Sequence, residues 1–395
     1  MQKFKLLSTT GFANTLTGLI PDLYAGLDVV SRELVGFIPS VTRNVSAERA
    51  ALNENVTYPI TPTMASANVT PAMTVPEPTD RTISTGSIAI TKSKCVEFGF
   101  VGEEQKGLNN GPGYLSVQAD LFAQALRTLT NEIEVDLATT AYLGSSRSYG
   151  SAATPFGTNV GESAQIRKIL DDNGAPPSER SLIIDTSAGA ALRTLSNLSK
   201  VNEAGTSMTL RDGELLNLNG LSIKESAGVQ RPTAGTASGA QTGSGGSVVG
   251  ATSIPTTAVG TGNILAGDII TFAGDTNQYV VVTGKTAVGT GTTSIVIAAP
   301  GLRVAQAASA INITVVATTT RNIAFPRSAI HLVARAPALP QEGDAALDRM
   351  LLTDPRSGLT FEVSLYAGYR KIRAEIAMAW GTKAVKTAHI ATLLG

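Results

Sequence analysis

Charge almost disappears from the middle of this sequence, and that change of composition constrains the fold more than any other feature. Between Val229 and Thr320 the charged residues are Arg231, Asp268, Asp275, Lys285 and Arg303. On both sides of this stretch acidic and basic residues are mixed at ordinary density. A sharp shift of composition marks a separate structural unit, so we expect residues 228–322 to be a domain inserted into a host domain.

Short runs of β-forming residues indicate what this insertion folds into. Tyr279–Thr283, Ser294–Ala298 and Ala310–Ala317 are rich in β-branched residues and are separated by glycine and threonine. Short strands at this spacing are typical of a small antiparallel barrel or sandwich. Residues 231–253 are instead rich in glycine, serine and threonine, a composition typical of a mobile segment.

Gly284, Lys285 and Thr286 look like the end of a phosphate-binding loop, and the surrounding sequence tests that function. Such a loop needs a glycine five residues before the Gly-Lys pair, so that backbone N–H groups can wrap around the phosphates. That position is Tyr279, inside a run of valines, and no helical pattern follows Thr286. We therefore expect no nucleotide site and no other cofactor.

The clearest helix in the sequence runs from Tyr114 to Leu143. Apolar residues recur there at steps of three and four, and Gly113 and Gly144 flank the pattern. A helix of this length would span about 45 Å, more than a small domain needs. We interpret it as a spine that joins distant parts of a flat molecule, and we assign Glu134 to its polar positions.

The segments before this helix differ from each other in character. Apolar residues at helical steps across residues 12–38 fit an ordinary core helix as well as an arm on a neighbouring subunit. Residues 55–111 contain five scattered prolines: Pro59, Pro62, Pro71, Pro76 and Pro78. Because proline cannot donate a ladder hydrogen bond, the strand-like pieces Thr82–Thr91 and Cys95–Val101 should be edge strands or a protruding hairpin.

Helices and strands alternate after the spine. A short helix is expected over Glu162–Leu170, a buried strand over Leu182–Ile184, and a helix over Ala188–Leu198 that Asp185, Thr186 or Ser187 can cap. Asn219-Gly220 is a typical hairpin turn. Near the end, alternating apolar residues predict two long strands, one through Phe361–Leu365 and one through Ile372–Met378.

The order of these parts resembles the tailed-phage major capsid proteins of the Hong Kong 97 fold. Within that family it is similar to the coat proteins of Salmonella-type short-tailed phages, whose central domain carries an inserted β-barrel. The resemblance covers nearly the whole chain and rests on four phrases: SLIIDTSAGAALRTL (181–195), GDIITFAGDTNQYVVV (267–282), IAAPGLRVA (297–305) and IAFPRSAIHLVARAPALP (323–340).

This resemblance implies an α+β fold with an inserted small β-barrel. Its parts would be an N-terminal arm (1–54), an extended hairpin (55–111), the spine helix with the peripheral domain (112–160), the first part of the axial domain (161–227), the barrel (228–322) and the closing strands (323–395).

The implied function is self-assembly into an icosahedral shell around double-stranded DNA. The implied partners are further copies of the chain in hexamers and pentamers, a scaffolding protein, a portal ring and packaged DNA without sequence preference. The protein would reside in the virion after assembly in the cytoplasm of the host bacterium. No stretch approaches the about 20 apolar residues of a membrane span, so we expect no membrane partner.

The residues themselves leave other functions with little support. Cys95 is the sole cysteine, the histidines are His331 and His389, and the numbers of acidic and basic residues are equal. We therefore expect no catalytic site, no metal site and no enzyme. The adjacent carboxylates Glu103-Glu104 and Asp171-Asp172 point apart and fit solvated surface charges better than a glycosidase pair.

Two non-enzymatic alternatives stay open from the sequence. One is a β-rich tail-tube or fibre protein of a phage, against which the long helix argues. The other is a sugar-binding module in residues 250–320, where Tyr279 is the one tyrosine and no tryptophan occurs.

Three hypotheses follow for the proposed shell. Residues 228–322 should fold alone. Arg370, Lys371, Arg373, Lys383 and Lys386 are either ordinary surface charges or a contact for DNA on the inner face. Ile83–Ile90 and Val96–Val101 should lack a core in their own subunit and bind the spine helix of a neighbouring copy. Deletion of residues 69–91 should then leave a folded monomer that forms no shells.

Overall fold

The described part of the chain forms four α-helices, two large sheets and a two-stranded hairpin in a computed structural model of the protein. The structure describes residues 35–60, 82–109, 114–195, 217–354 and 357–395, with positions 64, 66, 68–71 and 73. Residues 12–34 of the helix predicted over residues 12–38 lie outside the described residues. Its last residues are not α-helical, because Ile38–Ser40 forms a 3-10 turn.

The described residues contain four α-helices, and the longest coincides with the predicted spine. Their bounds are Gly102–Asn109 (α1), Tyr114–Leu143 (α2), Gly161–Asp172 (α3) and Thr186–Thr194 (α4). At the end of α2, Gly144 N donates to Thr140 O at 3.0 Å. Asp185 caps α4, because its Oδ1 accepts a hydrogen bond from Ala188 N at 2.9 Å.

Nineteen strands lie within the described residues. The first eight precede the insertion: Thr42–Ala50 (β1), Asn55–Ile60 (β2), Ser84–Ala89 (β3), Lys92–Val101 (β4), Arg147–Gly150 (β5), Arg180–Ile184 (β6), Asn217–Leu218 (β7) and Leu221–Glu225 (β8). Asn219 and Gly220 form the predicted turn between β7 and β8, and both have the positive φ that this turn requires.

The remaining strands belong to the insertion and to the closing part of the chain. Those of the insertion are Ser253–Pro255 (β9), Ile269–Phe272 (β10), Gln278–Thr283 (β11), Ser294–Ile297 (β12) and Ile313–Val315 (β13). The closing strands are Arg321–Pro326 (β14), Ile330–Pro337 (β15), Ala346–Thr353 (β16), Thr360–Gly368 (β17), Lys371–Ala384 (β18) and Ala391–Leu394 (β19).

β18 is the central strand of a six-stranded sheet. The order is β1-β15-β18-β17-β16, and β4 also pairs with β18. β4 and β18 are antiparallel over ten residue pairs, from Lys92↔Trp380 to Val101↔Lys371. α2 packs against this sheet, and the ring of Phe98 on β4 lies 4.9 Å from that of Phe122 on the helix.

The pairing of β4 corrects the expectation that residues 55–111 form one protruding hairpin. Proline predicts edge strands or a protruding hairpin here, and β4 is an edge strand, because β18 is its one partner among the described strands. Residues 92–101 contain no proline and can donate every ladder hydrogen bond. The two-stranded sheet β2–β3 does stand apart from the larger sheets. Even there, Ile88 and Ile90 are buried with Val333 and Ala379, so the predicted lack of a local core is wrong.

An eleven-stranded sheet joins the host strands β5, β6, β7, β8, β14 and β19 to the strands of the insertion. Its order is β13-β10-β11-β5-β19-β14-β6-β8-β7, and β9 and β12 pair beside β11. β11 meets the host strand β5 at Gln278↔Ser148 and Tyr279↔Arg147. The strands of the insertion therefore continue the host sheet.

The early part of the insertion is paired, in contrast to the predicted mobile segment. Isolated bridges link Gln241 to Asn312 and Thr242 to Thr256. The backbone of residues 240–243 thus lies between β9 and β13, the two ends of the insertion's strand order. Gly243 N donates to Pro255 O at 2.8 Å, and Ile313 N donates to Ala240 O at 2.8 Å.

Three apolar clusters hold these layers together. The first lies between α2 and the six-stranded sheet and includes Phe122, Phe361 and Trp380. The second surrounds β6, α3 and α4. The third lies inside the insertion and includes Phe272 and Tyr279, so the insertion has an apolar core of its own.

Candidate functional site

Three acidic residues lie within one short stretch in the middle of α2, residues 132–136, which we call the acidic turn. Glu132 and Asp136 are four residues apart and share one face of the helix. Glu134 lies two residues from each and faces the opposite side. The acidic turn can therefore bind groups on both sides of the helix.

Glu134 binds the backbone of the segment that precedes β1. Its Oε1 accepts hydrogen bonds from Gly36 N at 2.6 Å and Phe37 N at 2.7 Å, and its Oε2 accepts from Ile38 N at 3.0 Å. Ser226 Oγ donates to Oε1 at 2.6 Å. Glu134 is 2% exposed, so its assignment to the polar side of the helix is wrong. Burial raises the pKa of this carboxyl, although the four hydrogen bonds act in the opposite direction.

Glu132 and Asp136 bind the start of β4 on the other side of the helix. Lys92 Nζ lies 3.1 Å from Glu132 Oε1 and 2.8 Å from Asp136 Oδ1, and Lys94 also pairs with Glu132. Trp380 Nε1 donates to Asp136 Oδ2 at 2.8 Å. Burial opposes the ionisation of Glu132, but the hydrogen bonds from both lysines outweigh it and lower the pKa of this carboxyl.

The segment that joins β2 to β3 carries exposed apolar side chains. Among the described positions between these strands, Met64, Val69 and Met73 are exposed, as is Ile83 next to β3. On the hairpin itself Gly86 is required, because a Cβ there would lie 2.3 Å from the ring of Tyr58. Exposed apolar side chains in such number are typical of a contact surface.

The five basic residues of the closing strands do not form one patch. Arg370, Lys371 and Arg373 lie at the start of β18, whereas Lys383 and Lys386 lie at and beyond its end. Twelve residues of extended strand separate Lys371 from Lys383, which is about 40 Å. The structure thus places these residues in two separate groups.

Contacts with the protein itself engage two of these five side chains. Arg373 pairs with Glu97 and, at 3.2 Å, with Glu375. Lys383 Nζ donates to Ser87 O of the hairpin at 2.7 Å. Next to Arg370 and Lys371, a groove of about 640 Å³ lies between α1 and the β17–β18 turn.

Lys285, the lysine of the suspected phosphate loop, points into the insertion. The side chain is buried, and Nζ donates to Thr256 Oγ1 at 3.1 Å, Thr257 O at 3.3 Å and Gly291 O at 2.8 Å. The protein's own oxygen atoms thus occupy the three donor positions of this ammonium.

A cluster of charges that the sequence did not reveal joins the insertion to its host. Three cations surround Asp172 Oδ2: Arg147 Nη2 at 3.3 Å, Lys168 Nζ at 3.8 Å and Arg303 Nη2 at 3.8 Å. Arg147 also donates to Asn277 of the insertion. The neighbouring Asp171 pairs with Arg180 at 2.7 Å, and this hydrogen bond lowers the pKa of the carboxyl.

The other adjacent acidic pair, Glu103-Glu104, is exposed at the start of α1. Glu104 Oε2 accepts from Val101 N at 3.0 Å, as acidic side chains often do in the first turn of a helix. In the part of the chain that the structure describes, no three His, Cys, Asp or Glu side chains are grouped for a metal ion. Among the described helices, none has the length and apolar character needed to span a membrane.

No protein-family model matches this chain, and no curated protein matches it. The capsid structure of cyanophage P-SCSP1u is 12% identical, with a TM-score of 0.50, and covers 92% of this chain and 89% of that chain. A structure from Mycobacterium phage Che8 is 14% identical over 92% of both chains, with a TM-score of 0.46. The mature capsid of bacteriophage PhiM1 is 10% identical over 93% of this chain and 89% of that one, with a TM-score of 0.45.

The cyanophage match covers 92% of this chain, and at 12% identity it concerns the fold. The chain therefore has the capsid-protein fold of tailed phages.

Proposed function

We propose that this chain is the major capsid protein of a tailed bacteriophage, and that its copies form an icosahedral shell around double-stranded DNA. The observation that carries this proposal is the match to the cyanophage capsid structure over nearly the full length of both chains. The role is structural and involves no catalytic step. A tail-tube or fibre protein has no support from these comparisons.

In this shell the β2–β3 hairpin would contact a neighbouring copy. Its two strands pair with no other described strand, and its exposed apolar residues lie in the segment that joins them, at the opposite end from the base at Ile90 and Thr91. Burial of those side chains would be the main source of lateral affinity. The spine helix of the adjacent copy is the surface that we propose for this contact.

The insertion, residues 228–322, would be a small β-barrel on the outer face of the axial domain. Its separate apolar cluster supports a domain of its own. Closure of the barrel is supported by the bridges of Gln241 and Thr242 to both ends of the strand order. We propose that it stabilises the subunit and touches neighbouring copies.

DNA contact on the inner face is proposed for Arg370, Lys371, Arg373, Lys383 and Lys386. Because the two groups lie about 40 Å apart, they would touch separate segments of packed DNA and read no sequence. A shell structure with these side chains on its outer surface would overturn this assignment. A scaffolding protein and a portal ring complete the partners, with assembly in the host cytoplasm and residence in the virion.

Electron microscopy of the purified chain, with and without the candidate scaffolding protein, tests the function directly. Closed shells built of pentamers and hexamers are the expected result. Tubes or fibres, or a chain that stays monomeric with its scaffold, would contradict the proposal.

The hairpin contact needs a narrower change than deletion of residues 69–91, because that deletion removes Ile88 and Ile90 from the subunit's own core. Since Ile60 pairs with Ser84, residues 61–83 can be replaced by an Asn-Gly turn that closes β2 onto β3. We expect this variant to keep its circular dichroism spectrum and melting temperature and to form no shells.

A matched pair of variants separates the hairpin contact from general loss of exposed apolar surface. Val69→Ser with Met73→Ser should reduce the yield of shells in sedimentation velocity. Leu347→Ser with Leu351→Ser makes the same kind of change at exposed positions of β16, outside the proposed contacts. Equal yields from both variants would remove the hairpin from the lateral contact.

A further inference from the structure

The acidic turn of α2 has contacts on two opposite sides of the helix. On one side Glu134 binds the backbone at Gly36–Ile38, directly after the first 34 residues. On the other side Glu132 and Asp136 bind Lys92, directly after the β2–β3 hairpin. Residues 36–38 and Lys92 are far apart in sequence, yet both bind the same five residues of the helix.

We propose that the acidic turn is a shared anchor that couples residues 36–38 to the β2–β3 hairpin, so that displacement of either one weakens the binding of the other. The purpose of this coupling rests on the proposed shell, in which the hairpin contacts a neighbouring copy. The coupling itself is a property of the single chain.

Glu134 and residues 36–38 are joined by a compact set of hydrogen bonds. Three consecutive N–H groups converge on one carboxylate, which is the arrangement of a backbone anion site. Ser40 Oγ donates to Gly36 O at 2.7 Å, and Lys224 Nζ donates to Ser40 Oγ at 2.9 Å. The backbone at residues 36–38 cannot move away from α2 without loss of several of these bonds together.

Backbone hydrogen bonds also hold both strands at the base of the β2–β3 hairpin. Asn53 N donates to Ile90 O at 2.8 Å, and Ile90 N donates to Glu54 O at 2.9 Å. Thr91 N donates to Trp380 O at 3.1 Å, next to the bond between Trp380 and Asp136. A displacement of the hairpin base therefore pulls on Lys92 and Trp380, and through them on Asp136.

A displacement on one side of α2 reaches the other side because the helix is packed into the main apolar cluster and moves as a rigid body. Ile133 and Leu137 of α2 are fully buried in the main apolar cluster. Interiors of this density do not deform continuously, so the helix moves as a unit. A rotation or shift that follows the hairpin on one face carries Glu134 away from residues 36–38 on the other face.

Conservative variants on each side test the coupling in the full chain. Glu134→Gln keeps one acceptor oxygen but sets an amide donor against the N–H groups of residues 36–38. Asp136→Asn sets an amide donor against either Lys92 or Trp380. Asp120→Asn makes the same substitution at an exposed position of the same helix and is the control.

Hydrogen exchange of the amides at residues 36–38 and 90–92 is the primary measurement. Each variant should speed exchange at its own side by about tenfold or more, the scale expected for loss of a charge-assisted hydrogen bond. The coupling further requires faster exchange at the opposite side, with amides of β6 unchanged as the control for global stability. Asp120→Asn should change neither side.

The emission of Trp380, the sole tryptophan, gives a second readout of the hairpin side. Glu134→Gln should shift this emission although none of the hydrogen bonds of Glu134 involves Trp380. Effects confined to the mutated side, in exchange and in emission alike, would overturn the coupling. That result is distinct from failure of the proposed function, because the coupling can be measured even in a wild-type chain that forms no shells.

Discussion

The guanidinium of Arg147 lies 3.3 Å from the carboxylate of Asp172, with Arg147 almost fully buried at the boundary between the insertion and its host. The same guanidinium donates to Asn173 Oδ1 at 3.3 Å and to Asn277 Oδ1 at 3.4 Å. One side chain thus connects β5, the end of α3 and a turn of the insertion.

Loss of the Arg147 side chain should destabilise the contact between the insertion and its host. We expect Arg147→Met to lower the free energy of unfolding by about 2 kcal/mol, because the change removes a buried charge that has several hydrogen-bond partners. Urea denaturation of the full chain measures the effect. Lys168→Met removes a second cation from Asp172 at a largely exposed position and should change stability by less than about 0.5 kcal/mol. Equal effects would mean that the contact of Arg147 contributes nothing specific.

Tyr279 should make the stability of the protein sensitive to alkaline pH. Burial, with a further contribution from the hydrogen bond to Asp275, raises the pKa of Tyr279 to about 12 from its ordinary value of 10. The unfolded chain then releases this proton at a lower pH than the folded chain. The stabilisation is complete below pH 10 and is lost as the pH rises towards 12.

Thermal melts across that range, compared with those of Tyr279→Phe, measure this effect. The variant should be less stable at neutral pH, since Tyr279 OH also accepts from Arg303 N at 3.0 Å, but its stability should fall less between pH 10 and 12. Tyr369→Phe, at a tyrosine that is 91% exposed, is the control. Parallel pH profiles for wild type and Tyr279→Phe would contradict the expectation.

Lys285 should stabilise the insertion without binding a nucleotide. Lys285→Met preserves the length of the side chain but leaves three acceptor oxygens without their donor, so we expect a loss of about 2 kcal/mol. Addition of magnesium and ATP should leave the melting temperature of the wild-type chain unchanged. A ligand-dependent rise that disappears in Lys285→Met would restore the phosphate-loop hypothesis.

The isolated insertion, residues 228–322, should fold alone because its apolar cluster lies within its own sequence. We expect dispersed amide resonances and a cooperative thermal transition. Its stability should be lower than within the full chain, since β11 loses its pairing with β5. A random-coil spectrum would show that the host strand is required for the fold.

Sequence patterns predicted the local elements of the fold well. Steps of three and four fixed α2 at Tyr114–Leu143, and the Asn219-Gly220 pair fixed the turn between β7 and β8. These predictions succeeded because helix periodicity and turn chemistry depend on residues that are near one another in the chain.

Contacts between residues that are far apart in the chain could not be predicted from the sequence. The pairing of β4 with β18 joins residues more than two hundred positions apart, and no local pattern specifies it. The assignment of Glu134 to the polar positions of the helix is wrong because its partners, the backbone of residues 36–38 and the hydroxyl of Ser226, are all more than ninety residues away in the sequence. An available signal was its position one residue after Ile133 and three before Leu137, inside an apolar stripe.

The pairing of β11 with β5 has a practical consequence for the insertion. Two residue pairs in register fix its strands at a constant angle to the host sheet, so the insertion cannot turn about its connecting segments. Val248 and Val249 lie exposed in a turn of this unit. In the proposed shell, a foreign peptide spliced between them would be displayed once per subunit and in one orientation.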